Sequence, residues 1–129
     1  SAYRDRVKET HPDSGGGGRY RGGNAQRLRF RSLSAHPITM PIRPERVQFP
    51  PRGLLGGLPG TTGLDLVNGE VIPAKGRSEL SRGDEVTFQT AGGGGLFAVA
   101  DRAREVIEAD IESGLVTEDK ARATYGHDR

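Results

Sequence analysis

The chain has 129 residues, a formal net charge of +2, 20 glycines, eight prolines, and neither cysteine nor tryptophan. That length suits one domain, and the absence of cysteine excludes disulfides and thiolate metal sites. Leu, Ile, Val and Phe make up about a fifth of the residues, close to the compositional edge of disorder, so the chain either stays loose or completes itself against a partner. No apolar run approaches a membrane span and nothing resembles a signal peptide, so the cytoplasm is the expected location. Charge is unevenly spread: residues 14–64 hold eight arginines and one acid, Glu45, whereas residues 101–129 hold eight acids and five basic residues. The basic half suits phosphate, nucleic acid or an acidic protein face, or a plain solvated surface.

In chain order, the first distinctive stretch is PDSGGGGRYRGG, Pro12 to Gly23. Read alone it is a flexible tether or an RNA-binding Arg-Gly segment, with Tyr20 to stack on bases and Arg19 and Arg21 for phosphates. It occurs once, however, and leads straight into a strand pattern. Over 24–33, Leu28 and Phe30 alternate with Arg27, Arg29 and Arg31, which predicts a half-buried strand. A shorter strand is expected at Glu45–Phe49, with Val47 and Phe49 on one face. Glycines recur at 53, 56, 57, 60 and 63 among the prolines Pro50, Pro51 and Pro59. Leu64–Ile72 then carries Asn68-Gly69, the signal for a type I′ hairpin. Arg82-Gly83-Asp84 reads as a turn, and Val86 and Phe88 alternate with polar residues over 84–90.

A final glycine run, Gly92–Gly95, precedes a change of period. Val99, Ala103, Val106, Ile107 and Ile111 predict an amphipathic helix over 99–113, stopped by Gly114 with Leu115 packing back. Thr117 caps a second helix over 118–125, with Glu118 and Asp119 in its first turn and Gly126 at its end. The expected fold is one module over 1–129. Its part 13–98 is mainly β, with small sheets in a barrel-like arrangement and glycine-rich, polyproline-II-like segments. Its part 99–126 is a tail of two short α-helices.

The glycine clusters fall between strands of one small domain, not at a boundary between two. Backbone without side chains packs side by side, as collagen chains do at their axis. Gly15, Gly16, Gly17, Gly18, Gly22, Gly23, Gly56, Gly57, Gly60, Gly92, Gly93, Gly94 and Gly95 are therefore candidate structural glycines. Glycine loses the most freedom on folding, so such a bundle needs covering by neighbours.

Catalytic motifs are weak. Gly93-x-Gly95-x-x-Ala98 fits a loose dinucleotide fingerprint, but no second parallel strand follows to carry a ribose-binding acid, and Asp110 and Glu112 fall inside the predicted helix. No lysine–serine pair follows a glycine run, as a P-loop needs, and no Gly-x-Ser-x-Gly elbow exists. His11, His36 and His127 are scattered, so no metal ligand set is expected from this chain.

Taken in order, these stretches resemble the C-terminal portion of the hydantoinase B family, which includes N-methylhydantoinases, 5-oxoprolinases, and acetone and acetophenone carboxylases. Asp13-Ser14-Gly15 through Gly23 resembles its DSGGxGxxRGG element, and Pro51-Arg52-Gly53, Gly56-Gly57 and Pro59-Gly60 its PxGxxGGxPG element. Pro73, Lys75, Leu80, Gly83-Asp84 and Gly92–Gly95 resemble the next run. Arg102, Glu105, Ile107 and Asp110-Ile111, then Gly114-Leu115-Val116, Ala121-Arg122 and Tyr125-Gly126, resemble the last two. The chain departs from the family at Leu96-Phe97-Ala98-Val99 and at Ala103-Arg104, where the family carries Asp-Pro.

The resemblance implies a small structural or site-supporting subunit, or a fragment, of an ATP-dependent complex. Ketone carboxylation of the acetophenone type is preferred; an ATP-dependent hydantoinase or 5-oxoprolinase is the alternative. It implies larger hydantoinase A-like and hydantoinase B-like partners, with ATP and a divalent metal bound on those partners and none on this chain alone. Catalytic residues are not expected here, and Arg19, Arg21, Arg27, Arg29 and Arg31 would face a larger subunit or steer anionic substrates. A glycine/arginine-rich RNA-binding module is the remaining reading.

Overall fold

A computed structural model describes residues 3–42, 46–72 and 76–128; Glu45, Pro73 and Lys75, singled out above, lie outside the described residues. The chain forms two antiparallel sheets followed by a helical tail. Strands β1 (Tyr3–His11), β2 (Ala25–Ser32), β4 (Leu64–Val67), β5 (Glu70–Val71) and β7 (Glu85–Gln89) form a five-stranded sheet in the order β1-β2-β7-β4-β5. Strands β3 (Ile38–Ile42) and β6 (Gly76–Leu80) pair separately. The mainly β class with two helices is as the sequence predicts. The barrel-like arrangement does not close: β1 and β5 remain as separate edges of an open sheet.

Strand β2 occupies most of the predicted stretch. Its apolar residues meet those of β7 in register, Leu28 opposite Phe88 and Phe30 opposite Val86. Val86 and Leu80 are each 1 % exposed and anchor this face. The Phe30 and Phe88 rings meet edge to face at 6.1 Å. The Asn68-Gly69 hairpin forms between β4 and β5, with φ of 50° and 82°, the positive pair a type I′ turn requires.

Over its described residues, 46–49, the strand expected at Glu45–Phe49 does not form. Residues 46–49 are bends; Arg46 has a φ of 58° and Phe49 lies 74 % exposed. A positive φ breaks the pleat, and Pro50-Pro51 beyond it supplies no N–H to a ladder. Strands β1 and β6 have no alternating apolar signal; β3 does alternate, Ile38, Met40 and Ile42 with Thr39 and Pro41, a signal absent from the expectations above. Charged β1 is held by register with β2, from Arg6 opposite Phe30 to His11 opposite Ala25, and β3 carries Pro41, which a two-stranded edge tolerates.

The helix predicted over 99–113 is broken. A 3₁₀ turn, Val99–Asp101, gives way to extended Arg102 and Ala103, and helix α1 runs only from Arg104 to Glu112. The Arg102 side chain bonds to Asp110 and to the Arg19 carbonyl, which fixes the chain in this bent approach. The stop of α1 is a Schellman motif: Gly114, at φ 74°, donates to Ile111, and Leu115 donates to Asp110. Thr117 accepts a hydrogen bond from Lys120 N and caps α2 (Glu118–Tyr125), which Gly126 ends at φ 63°. Ile107, Val116 and Ala121 form the buried contact between the helices, with Ile111 and Tyr125 against them. Among the described residues no helix is long and apolar enough to cross a membrane.

Candidate functional site

The topology delivers the glycine clusters to one end of the five-stranded sheet. β1 ends at His11 opposite Ala25, where β2 begins; Gln89, at the end of β7, lies between Arg27 and Leu64. From that end five strand-free passes continue: 14–18, 20–24, 51–54, 57–61 and 92–96. The last is the axis, and the other four surround it.

Backbone hydrogen bonds join the axis to every neighbour. Gly16 donates to the Gly93 carbonyl at 2.8 Å, and Gly93 donates to Gly23 at 2.8 Å. Gly92 donates to Thr61 at 3.1 Å, Gly95 to Leu58 at 2.9 Å, and Leu54 to Gly95 at 2.9 Å. Between these bonds the passes touch carbonyl against α-carbon. A methyl on Gly92, Gly94 or Gly95 would overlap the carbonyls of Ser14, Arg52 and Gly17 respectively, and one on Gly22, Gly57 or Gly60 would overlap those of Gly93, Gly95 and Gly92. Gly15, Gly16 and Gly18 abut Gly22, Leu58 and Leu96 in the same way. A methyl on Gly17 would overlap the Thr124 methyl, one on Gly93 would be tight against Gly23 N, and one on Gly23 would meet nothing within 4 Å. Many of the donors and acceptors that a solvated glycine chain gives to water are thus paired within the bundle.

Polar side chains tie the bundle to the sheet and the helices. Ser14, 1 % exposed, accepts from Ala25 N at 2.6 Å and donates to the His11 carbonyl. Asn24 accepts from Gly15 N at 3.0 Å and donates to the Leu115 carbonyl at 2.8 Å. Asp13 receives both the N–H and the hydroxyl of Thr117, each at 2.7 Å. The Tyr125 hydroxyl accepts from Gly18 N at 3.4 Å.

The five sequence-nominated arginines separate into three settings. Arg21 is largely buried and bonds to Asp110 at 3.2 Å; Arg102, which sequence reasoning did not nominate, reaches the same carboxylate oxygen at 2.6 Å. Two guanidinium groups thus share one acid, and Arg102 also lies over the Tyr125 ring at 6.0 Å. Arg102 Nε is buried with no partner among the described residues. Arg27, Arg29 and Arg31 are engaged on the sheet, with Gln89 at 2.6 Å, Glu9 at 3.4 Å and Glu85 at 3.6 Å. Arg19 is exposed, with its guanidinium over the Tyr20 ring at 5.3 Å. The Arg102–Asp110 pairing has no local spacing signal; the one pointer is that both residues fall in one matched motif.

Two cavities lie outside the bundle. One of about 300 Å³ is lined by Phe30, Met40, Leu80, Val86 and Phe88. The other, of about 210 Å³, is lined by Val47, Leu64, Val71, Ile72 and the carboxyl-bearing Asp65 among others. Burial there pushes the Asp65 carboxyl above the usual aspartate range. Asp84 is shifted the opposite way: the Asn68 side chain at 3.0 Å and Ser81 N at 2.8 Å stabilise its ionised form. Among the described residues no three His, Cys, Asp or Glu side chains come together to hold a metal ion, so no metal chemistry is assigned to them. What the arrangement offers is a rigid, side-chain-free wall with an exposed tip.

A family model described as Hydantoinase B/oxoprolinase matches residues 3–97. An uncharacterised protein of Methanocaldococcus jannaschii is 33% identical over 117 residues, which cover 88% of this chain and 20% of that protein. A 5-oxoprolinase of Dictyostelium discoideum is 36% identical over 88 residues, 64% of this chain and 7% of that protein. Among solved structures, an ATP-dependent caprolactamase from Pseudomonas jessenii superposes with a TM-score of 0.75 at 23% identity, covering 93% of this chain and 22% of that one. A nucleotide-free acetone carboxylase superposes with a TM-score of 0.68 at 22% identity, covering 96% and 21%. At these identities the two superpositions speak for the fold. The chain spans about a fifth of the length of the first of these relatives and less than a tenth of the second.

Proposed function

This chain belongs to the hydantoinase B/oxoprolinase family, and from that membership we propose that it is a site-supporting module of an ATP-dependent carboxylase or cyclic-amide hydrolase assembly. Ketone carboxylation is the preferred reaction, and hydrolysis of a cyclic amide the alternative. Both reactions start from an unreactive ketone, amide or bicarbonate, whose oxygen phosphorylation would activate. In this reading ATP and a divalent metal sit on larger hydantoinase A-like and B-like chains, and the assembly works in the cytoplasm. This chain's contribution is the wall made by its glycine passes.

The observation that carries the reading is the family match together with the chemistry of the bundle. Nearly every methyl-free α-carbon in the bundle is used for close packing, the property a supporting wall needs. The neighbours named above, an acetone carboxylase and an ATP-dependent caprolactamase, support the two candidate reactions. Arg21 is committed to Asp110 inside the fold, so it is not offered to a phosphate backbone as an RNA-binding segment would require.

The test is reconstitution. Hydantoinase A-like and B-like chains of the same source, co-expressed with this chain, should fix bicarbonate onto a ketone at the expense of ATP. Cyclic-amide hydrolysis instead would select the alternative reaction. Full activity of the larger chains without this one would overturn the proposed role.

A further inference from the structure

Among the described residues, two tight turns place two successive residues at positive φ, with different occupants. In the β4–β5 hairpin the left-handed pair is Asn68-Gly69, the residue types that adopt positive φ most readily. At the end of the glycine bundle the pair is Leu55-Gly56, at φ of 51° and 96°, closed by Gly57 N donating to the Leu54 carbonyl at 3.0 Å. A branched apolar side chain at such a position is a genuine outlier and costs on the order of 1–3 kcal/mol. Burial does not offset that cost, since Leu55 is 66 % exposed.

The same end of the bundle repeats the anomaly. Phe97 stands at a φ of 61°. Its N–H donates to the Leu54 carbonyl, its own carbonyl accepts from Arg19 N, and its ring lies 6.1 Å from Tyr20. Tyr20 and Leu54 flank Leu96 through isolated bridges. Tyr20 and Leu54 are themselves 52 % and 62 % exposed. Four large apolar side chains are thus held out from one tip, two of them by backbone that disfavours them. Arg19 and Arg52 border the tip, both exposed and without an ion pair to any described residue.

We infer that Leu55 and Phe97 are docking anchors, and that the tip they form binds an apolar pocket with an acidic rim on a larger hydantoinase B-like chain. The inference rests on the assembly proposed above and names its contact surface. Charge selects the occupant. Two copies of this face would bring four arginines together, whereas an acidic rim pairs with Arg19 and Arg52. An exposed aromatic and aliphatic cluster with flanking arginines has the composition of an interface centre.

Asparagine separates docking from folding, because it keeps the turn and removes the anchor. The experiment measures the affinity of the purified chain for the co-purified hydantoinase A-like and B-like chains, for the wild type, Leu55→Asn and Phe97→Asn. Melting midpoints of the same three chains are measured alongside. Each substitution is expected to weaken binding by about 10- to 100-fold, with a melting midpoint equal to or above the wild type's. Wild-type binding that both variants retain would remove the tip as the docking face and leave the assembly standing. Failure of the wild type to bind the larger chains would overturn both. A lowered melting midpoint would make the side chains structural and defeat the inference. A self-dimer, or binding to single-stranded RNA, that the variants lose would identify the wrong occupant.

Discussion

The amide nitrogen of Gly16 stands 2.8 Å from the carbonyl oxygen of Gly93, although the two glycines belong to runs separated by six of the seven strands in chain order. The bond itself is open to any backbone, but the packing around it is not: a methyl on Gly16 would overlap the Leu58 carbonyl. That packing converts a sequence that reads as a tether into a packed element.

Single methyl groups should therefore discriminate sharply. Gly94→Ala drives a methyl into the Arg52 carbonyl and Gly95→Ala into that of Gly17. Each is expected to destabilise the chain by about 1–3 kcal/mol or more, by overpacking that backbone cannot relieve. Gly23→Ala meets nothing within 4 Å, so it should lie within about 1 kcal/mol of the wild type. Denaturant titration of the three variants measures the contrast; equal losses would refute the packed bundle.

The shared carboxylate should be the most sensitive polar position. Asp110→Ala leaves Arg21 and Arg102 both buried without their acid. A loss of about 3–5 kcal/mol is expected. Arg21→Met should cost less, because Arg102 still neutralises Asp110 at 2.6 Å. Unfolding midpoints of the two variants give the order directly.

The two perturbed aspartates predict opposite pH slopes. Asp84 has a folded pKa below its unfolded one. Its contribution is present above the unfolded value, about 3.9, and disappears as pH falls through the lower folded value. Asp65 has a folded pKa above its unfolded one. Ionising it in the fold is penalised, so stability falls as pH rises from the unfolded value through the folded one. Asp65→Asn should raise the melting temperature at pH 7 and leave it unchanged well below pH 4. Asp84→Asn should lower it at pH 7. Thermal melts across that range test both signs.

Asp13 should govern the second helix. Asp13→Ala removes two hydrogen bonds to Thr117 at the start of α2, a loss of about 1–2 kcal/mol. Hydrogen exchange should rise at residues 118–125 first, with β2 and β7 still protected.

Much of this architecture is legible in the sequence where the signal is local. Asn68-Gly69 specifies its turn, Gly114 and Gly126 specify helix ends, and Leu28 and Phe30 specify a strand face. The break at Arg102-Ala103 is not legible, because alanine favours helix and the cause is a bond to Asp110 on the far side of α1. Nor is β1, whose charged residues carry no alternation and are ordered by β2. The strand expected at 45–49 fails because a single positive φ, at Arg46, outweighs the β propensity of Val47 and Phe49. The ion cluster joins Arg21 to residues of the tail, and no periodicity reports a contact between such distant segments. Clustered glycine gives the bundle away, but the order of its passes around 92–96 comes from topology.

That order has a kinetic corollary. The axial pass is the last of the five to be synthesised, and the four that surround it have few apolar side chains with which to wait in a collapsed state. Their mutual contacts close long loops, so ring closure must be met in one late cooperative step. A nascent chain halted before residue 92 should expose its glycine runs to proteases, and one extended past residue 96 should lose that sensitivity abruptly.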